Sequence, residues 1–288
     1  MREPTDSLPP VLRDLYWAIS SPPPITLPDG FPWPDERALL GQMLSDPAQA
    51  RLLAAEIEPC RQQRLGPYFE ALWLAWLRHH PHWQLRLHHL PIRSGGRTLG
   101  EIDLVVENAA RELIHLELAV KFYLRVPASE STDALAQWMG PGLKDTLARK
   151  HRHLLQHQLP LGRHPQVISA LGRAPDQHAM LLRGRFFQPW SGQPQDLQQA
   201  PVWMTLGDCG QIPVDRRILT LERKDWLTGP DRIHWLPGPD WQQQMADMTR
   251  PVQVWIEAPE QASGQLWAFV VPDSWPRQAR QLLAADGA

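Results

Sequence analysis

The first part of the chain has the hydrophobic spacing of helices. Helices are predicted over residues 8–20, 36–45 and 47–58, with Asp35 positioned to cap the second. The strongest prediction is at 66–80, where the apolar residues of GPYFEALWLAWLRHH recur at i, i+3, i+4, i+7 and i+8. That spacing buries one face of a helix.

The period changes to two after residue 80, which is typical of strands. Helical spacing returns near residue 140 and weakens after residue 190. The order predicts an α+β fold with a mixed sheet flanked by helices rather than a repeated βαβ chain. The predicted strands are 82–92, 98–108, 111–124, 178–189, 201–206, 217–222, 252–257 and 266–271; the later helices are 140–159, 165–172, 240–249 and 275–284.

These elements predict three parts of the chain. Residues 1–60 form an N-terminal helical segment, residues 61–190 a core, and residues 191–288 a C-terminal mixed region. Eight of the fourteen tryptophans lie after residue 180. They are expected to pack in the core rather than to stack on bases.

Composition narrows the class of protein. The formal net charge is −2, so any surface for nucleic acid must be local. The two cysteines, Cys60 and Cys209, are far apart and support neither a zinc cluster nor a disulfide scaffold. The sequence shows no apolar signal core and no run of about 18 apolar residues. We therefore expect a soluble cytoplasmic protein with no membrane contact.

The predicted strand 111–124 has one wholly apolar face and one polar face. The polar face carries His115, Glu117 and Lys121. A hairpin loop centred near residue 110 would pair residue 105 with 115 and Asp103 with Glu117, with Cβ atoms about 4.5–5.5 Å apart. Facing carboxylates destabilise a sheet unless they share a proton or bind a cation.

Asp103, Glu117 and Lys121 together suit metal-assisted hydrolysis. Two carboxylates can hold Mg²⁺ or Mn²⁺, and the ion lowers the pKa of a bound water. The lysine can orient that water or stabilise charge on a phosphate. Glu70, at the edge of the apolar stripe of helix 66–80, is predicted to point partly toward this sheet, and Glu101 is a further metal-ligand candidate.

Basic residues accompany this acidic patch. Residues 71–100 contain four arginines, five histidines and no acid. Lys150 occupies a gap in the apolar stripe formed by residues 143, 147 and 154. Arg97, Arg149 and Lys150 are the predicted substrate-binding residues, and DNA is the expected partner. The clustered histidines lack the neighbouring carboxylate or cysteine that a zinc site would need, so we interpret them as surface residues.

The segment "GEIDLVV", followed by "HLELAVKFYL", resembles the PD-(D/E)XK nuclease superfamily. The flanking "LGPYFEALWLAWL", "GPGLKDTLARKHRHLLQHQL" and "LLRGRFFQP" resemble a bacterial family of unknown function placed within it. The resemblance implies a restriction-endonuclease-like core over about residues 60–190. It also implies a Mg²⁺-dependent nuclease, with Glu70, Asp103 and Lys121 at matching positions.

Ala119 departs from that pattern, because the superfamily has a carboxylate two residues before its lysine. Here the carboxylate is Glu117, about 6–7 Å further along the strand. Glu101, opposite Ala119, could fill the gap. This departure keeps a second hypothesis open, a nuclease-like fold that binds nucleic acid or protein without cleavage. A third is a sugar hydrolase using Asp103 and Glu117 as acid and base, which leaves Lys121 unexplained. Oligomeric state stays open, with a homodimer as one alternative.

Overall fold

The computed structural model describes residues 8–27, 29–127, 134–193, 201–261 and 263–286. Residues 1–7 and 194–200, which belong to the predicted N-terminal and C-terminal parts, lie outside the described residues. The contacts divide the chain into two compact units. The first contains the chain up to Val120 together with His151–Gly184, and the second contains Lys121–Lys150 together with the chain from Arg185 onward.

The predicted α+β class is confirmed, because the structure has a large mixed sheet flanked by helices. In the first unit, α4 buries the apolar stripe that its sequence spacing predicts, including Phe69, Leu72, Trp73 and Trp76. Asp35 accepts a hydrogen bond from the Arg37 backbone N–H at the start of α2. The first helices are α1 (Pro10–Ser20), α2 (Arg37–Ser45), α3 (Pro47–Ile57) and α4 (Leu65–His79).

The strands of the first unit follow the sequence prediction closely. They are β1 (Gln84–Ser94), β2 (Arg97–Glu107), the part of β3 (Leu113–Arg125) up to Val120, and the part of β5 (Gln177–Pro189) up to Gly184. The strand order is β1-β2-β3-β5. The predicted hairpin register is confirmed where Val105 pairs with His115 and Leu104 pairs with Leu116.

The predicted helix 140–159 is only partly correct. Residues 140–146 form a turn, because Leu143 adopts a left-handed φ of 58° that no helix accommodates. The helical segment begins as α5 (Leu147–His153) and continues through a π-helical stretch (Leu154–Gln158) into the short α6 (Leu159–Leu161). The apolar stripe that placed Lys150 therefore does not extend back to residue 143.

The second unit contains most of the remaining elements. Its strands pair in the order β3-β5-β6-β10-β9-β7-β8, with β4 on β3. The strands β4 and β8 were not predicted, and α8 is shorter than the predicted helix 240–249. The elements outside the first unit's strands are β4 (Trp138–Met139), β6 (Val202–Thr205), β7 (Arg217–Thr220), β8 (Leu236–Pro237), α8 (Gly238–Gln244), β9 (Val252–Glu257), β10 (Gln265–Val271) and α9 (Trp275–Asp286); α7 (Pro165–Leu171) belongs to the first unit.

Candidate functional site

Asp103 lies where the regular alternation of β2 is interrupted. Strict alternation would place Ile102 and Val105 on opposite faces, yet both belong to one apolar cluster with Leu161. The Asp103 carboxylate accepts a hydrogen bond from the Leu118 backbone N–H at 2.8 Å. At this interruption, the side chain of Asp103 on β2 therefore accepts a hydrogen bond from the backbone of β3.

The edge strand β1 has its own irregularity beside Asp103. His89 adopts a left-handed φ of 49°, and its neighbours His88 and Leu90 pair with the residues on either side of Asp103. The ring Nε2 of His89 lies 3.2 Å from Glu70 Oε2. Exposed His89, which was predicted to lie at the surface, therefore brings Glu70 to β1. The surface prediction is wrong for His80, which is buried and pairs with Glu36.

Glu117 is buried, with 3% of its surface exposed, and both of its oxygens are hydrogen-bonded. Gln158 donates to Oε2 at 3.1 Å, and His115 Nε2 lies 3.0 Å from Oε1. Because a carboxylate oxygen only accepts, His115 donates to Glu117 through Nε2, and its Nδ1 faces His178. His178 Nδ1 lies 3.2 Å from that nitrogen, within hydrogen-bond distance. Gln158, Glu117, His115 and His178 thus form one hydrogen-bonded chain, the histidine–glutamate chain.

The far nitrogen of this chain, His178 Nε2, is buried and has no hydrogen-bond partner among the described residues. Burial, with the charges of His115 and Arg163, lowers the pKa of His178 to about 4. Gly162 packs against both rings, since a Cβ there would lie 2.5 Å from His178 and 2.7 Å from His115. The two histidine rings of this chain are therefore closely packed around Gly162.

The predicted metal ligands do not fit a metal ion as they are arranged. Glu117 already uses both oxygens within the histidine–glutamate chain, and Asp103 binds the backbone of Leu118. Glu101 is exposed and Glu70 pairs with His89. Across the described ranges, no three His, Cys, Asp or Glu side chains form a group that could hold a metal.

Lys121 belongs to the second unit, where its amine donates to Asp145 Oδ2 at 2.7 Å. The Tyr123 hydroxyl donates to the same oxygen at 2.8 Å. Burial and the neighbouring Asp145 carboxylate raise the pKa of Tyr123. Sequence reasoning missed Asp145, because it is far along the chain in a segment predicted to be helical.

The predicted substrate-binding residues lie at different places. Arg97 is exposed at the start of β2. Arg149 is exposed and folds back to donate to the Lys144 carbonyl, while Lys150 is half-buried on the first turns of α5. Lys144, Arg149 and Lys150 belong to the second unit and Arg97 to the first.

Exposed arginines of the first unit lie on two sequence segments that contain no acids and that contact each other. One is residues 71–100, and the other is residues 151–175. The Arg93 backbone donates to Gln166, and Gly100 lies directly against Leu161 and Gln158. Four of the exposed guanidinium groups on these segments form no ion pair with any described residue: Arg93, Arg97, Arg152 and Arg163. We call these four residues the arginine surface.

The fold is thus a mixed α+β architecture whose polar centres are the histidine–glutamate chain, the arginine surface and the Lys121–Asp145 pair. The chain belongs to a family described as Domain of unknown function (DUF1853), whose model matches residues 13–283. Neither a curated protein nor a solved structure matches it. Nothing in these comparisons links the family to the PD-(D/E)XK nucleases. Within the described residues, no helix has the length and apolar character needed to cross a membrane.

Proposed function

We propose that this protein binds nucleic acid through the arginine surface of its first unit. The observation that carries the proposal is the packing of two acid-free segments against each other, which gathers four exposed guanidinium groups on one unit. Guanidinium groups bind phosphate oxygens bidentately, and neutralising phosphates releases counterions from the nucleic acid. Local charge of this kind attracts a polyanion even when net charge is −2.

The hydrogen bonds that the carboxylates already make favour binding without cleavage over a metal-dependent nuclease. A metal ion would have to displace His115 and Gln158 from Glu117, and Ala119 leaves no carboxylate two residues before Lys121. The metal-dependent nuclease is kept as the second candidate, because Asp103 reaches the backbone beside Glu117 at Leu118. Under both candidate functions the protein binds DNA.

Binding is tested by fluorescence anisotropy with labelled DNA and RNA at several salt concentrations. We expect the logarithm of the affinity to fall linearly with the logarithm of the salt concentration. Replacing all four arginines of the arginine surface with alanine should weaken binding and reduce that slope by about one per arginine. Arg277→Ala with Arg280→Ala, two exposed arginines of α9, is the matched control and should leave binding unchanged. An unchanged slope in the fourfold variant contradicts the proposal.

Glu101 separates the two candidates. It is an exposed carboxylate on the same hairpin as Arg93 and Arg97. If the surface binds phosphates, Glu101→Gln removes repulsion and tightens binding. If Glu101 is a metal ligand, the same change weakens metal-dependent cleavage of plasmid or single-stranded DNA. Cleavage that needs Mg²⁺ or Mn²⁺ and is lost in Asp103→Ala would establish the nuclease and displace the non-cleaving hypothesis.

A further inference from the structure

The loop Gly140–Asp145 of the second unit is fixed by contacts at several points. The Gly140 N–H donates to the Asp145 carbonyl at 2.8 Å, and the Trp275 indole donates to the Pro141 carbonyl at 2.7 Å. Leu143 adopts its left-handed φ of 58° within this loop. A strained residue persists only where its surroundings over-determine it, and such residues cluster at functional sites. The loop therefore presents Asp145 in one defined position.

Asp145 uses only one of its two oxygens. Lys121 and Tyr123 both donate to Oδ2, and Oδ1 has no partner among the described residues. The pair is accessible, with 29% of the Lys121 side chain and 34% of the Asp145 side chain exposed. The Lys121 ammonium keeps two further N–H donors, since no other described residue accepts from it. One acceptor oxygen and one partly used cation thus lie side by side and open to solvent.

Positive charge exceeds negative charge in the segment of the chain that carries Asp145. Residues 140–150 contain Lys144, Arg149 and Lys150, and Asp145 is their only acid. Lys144 is exposed, and its amine has no partner among the described residues. The positive charge of Arg149 acts to lower the pKa of Tyr123. An exposed ion pair contributes about 0–1 kcal/mol to the free energy of unfolding. Stability alone therefore does not explain why a strained loop and a buried tyrosine hydroxyl both position Asp145.

We propose that the second unit binds a phosphate ester that carries a neighbouring hydroxyl group. The phosphate lies against the ammonium groups of Lys121 and Lys144, with Arg149 nearby. The hydroxyl donates to the open Oδ1 of Asp145, while Tyr123 and Lys121 hold the carboxylate through Oδ2. This proposal uses residues of the second unit only, so it does not depend on the nucleic-acid binding proposed for the first unit.

The test is calorimetric titration of the full chain with glycerol 3-phosphate and with propyl phosphate, which lacks the hydroxyls. One added hydrogen bond to a carboxylate should make glycerol 3-phosphate bind about three- to tenfold more tightly. Asp145→Asn should remove that preference and leave propyl phosphate binding as tight or tighter. Lys121→Met should weaken both ligands about tenfold, with partial recovery in Lys121→Arg.

Lys144→Met keeps the test valid if Lys121→Met does not fold, because the Lys144 side chain is exposed. It should weaken both ligands about threefold. Arg277→Met on α9 is the control and should change neither affinity. The proposal is overturned if wild-type protein binds neither phosphate, if both lysine variants bind as wild type, or if Asp145→Asn keeps the preference. Loss of this binding with intact nucleic-acid binding would leave the arginine surface unaffected.

Discussion

Glu117 and Asp145 are two carboxylates with opposite environments. Glu117, in the first unit, is buried, and both oxygens are satisfied by His115 and Gln158. Asp145, in the second, is half-exposed and has both of its donors on a single oxygen. A carboxylate whose oxygens are all used internally holds a structure together, whereas one with an open oxygen can receive a ligand. The comparison favours a structural role for Glu117 and supports the binding role proposed for Asp145.

The largest expected effect is a difference in the free energy of unfolding between two methionine variants, one at each site. Glu117→Met leaves a buried His115 donor and the Gln158 amide without their acceptor, so we expect the free energy of unfolding to fall by about 2–4 kcal/mol. Lys121→Met removes one member of a half-exposed pair and should cost less than about 1 kcal/mol. Urea unfolding followed by circular dichroism measures both. Equal losses would remove the distinction between the two sites.

Gly162→Ala probes how closely the histidine–glutamate chain is packed. A methyl group at this position meets the rings of His115 and His178, so the free energy of unfolding should fall by about 1–3 kcal/mol. Gly41→Ala in α2 is the control, because nothing lies within 4 Å of its added Cβ. That helical change should stabilise by about 0.5–1 kcal/mol. Similar effects at both glycines would show that the two rings can move apart freely.

The pH dependence of stability tests the state of His178. Its pKa in the folded protein is about 4, below the ordinary 6.5, so the unfolded chain takes up the proton first as pH falls. Between pH 6.5 and 4 the stability should decrease by about 1–2 kcal/mol, and above pH 6.5 this contribution is fully present. His178→Gln should flatten that part of the profile. A wild-type profile that is already flat contradicts the assignment.

The sequence correctly predicted the features that depend only on the local spacing of apolar and polar residues. The stripe of α4 and the register that pairs Val105 with His115 follow from periods of 3.6 and two, which need no knowledge of distant segments. The partners of the polar groups were not predictable in this way. Glu117 finds Gln158, and His115 finds His178, from segments 41 and 63 residues away.

The loop before α5 shows a second reason for failure. Helical spacing and good helix-forming residues favoured a helix from residue 140, but Gly140, Pro141 and Gly142 permit a turn that distant contacts then fix. The indole of Trp275 reaches Pro141 from 134 residues away. Because the turn depends on such contacts, the partner of Lys121 was missed together with it.

The order in which the chain contributes to its units has a consequence for synthesis on the ribosome. The chain leaves the first unit after Val120, returns at His151, and leaves it again after Gly184. The first unit is therefore incomplete until β5 has emerged, although α1 to α4 and the strands β1 and β2 are made early. His178, which closes the histidine–glutamate chain, is among the last residues of that unit to arrive. Until then β3 is paired with β2 on one side only, and its edge toward β5 is open in the nascent chain.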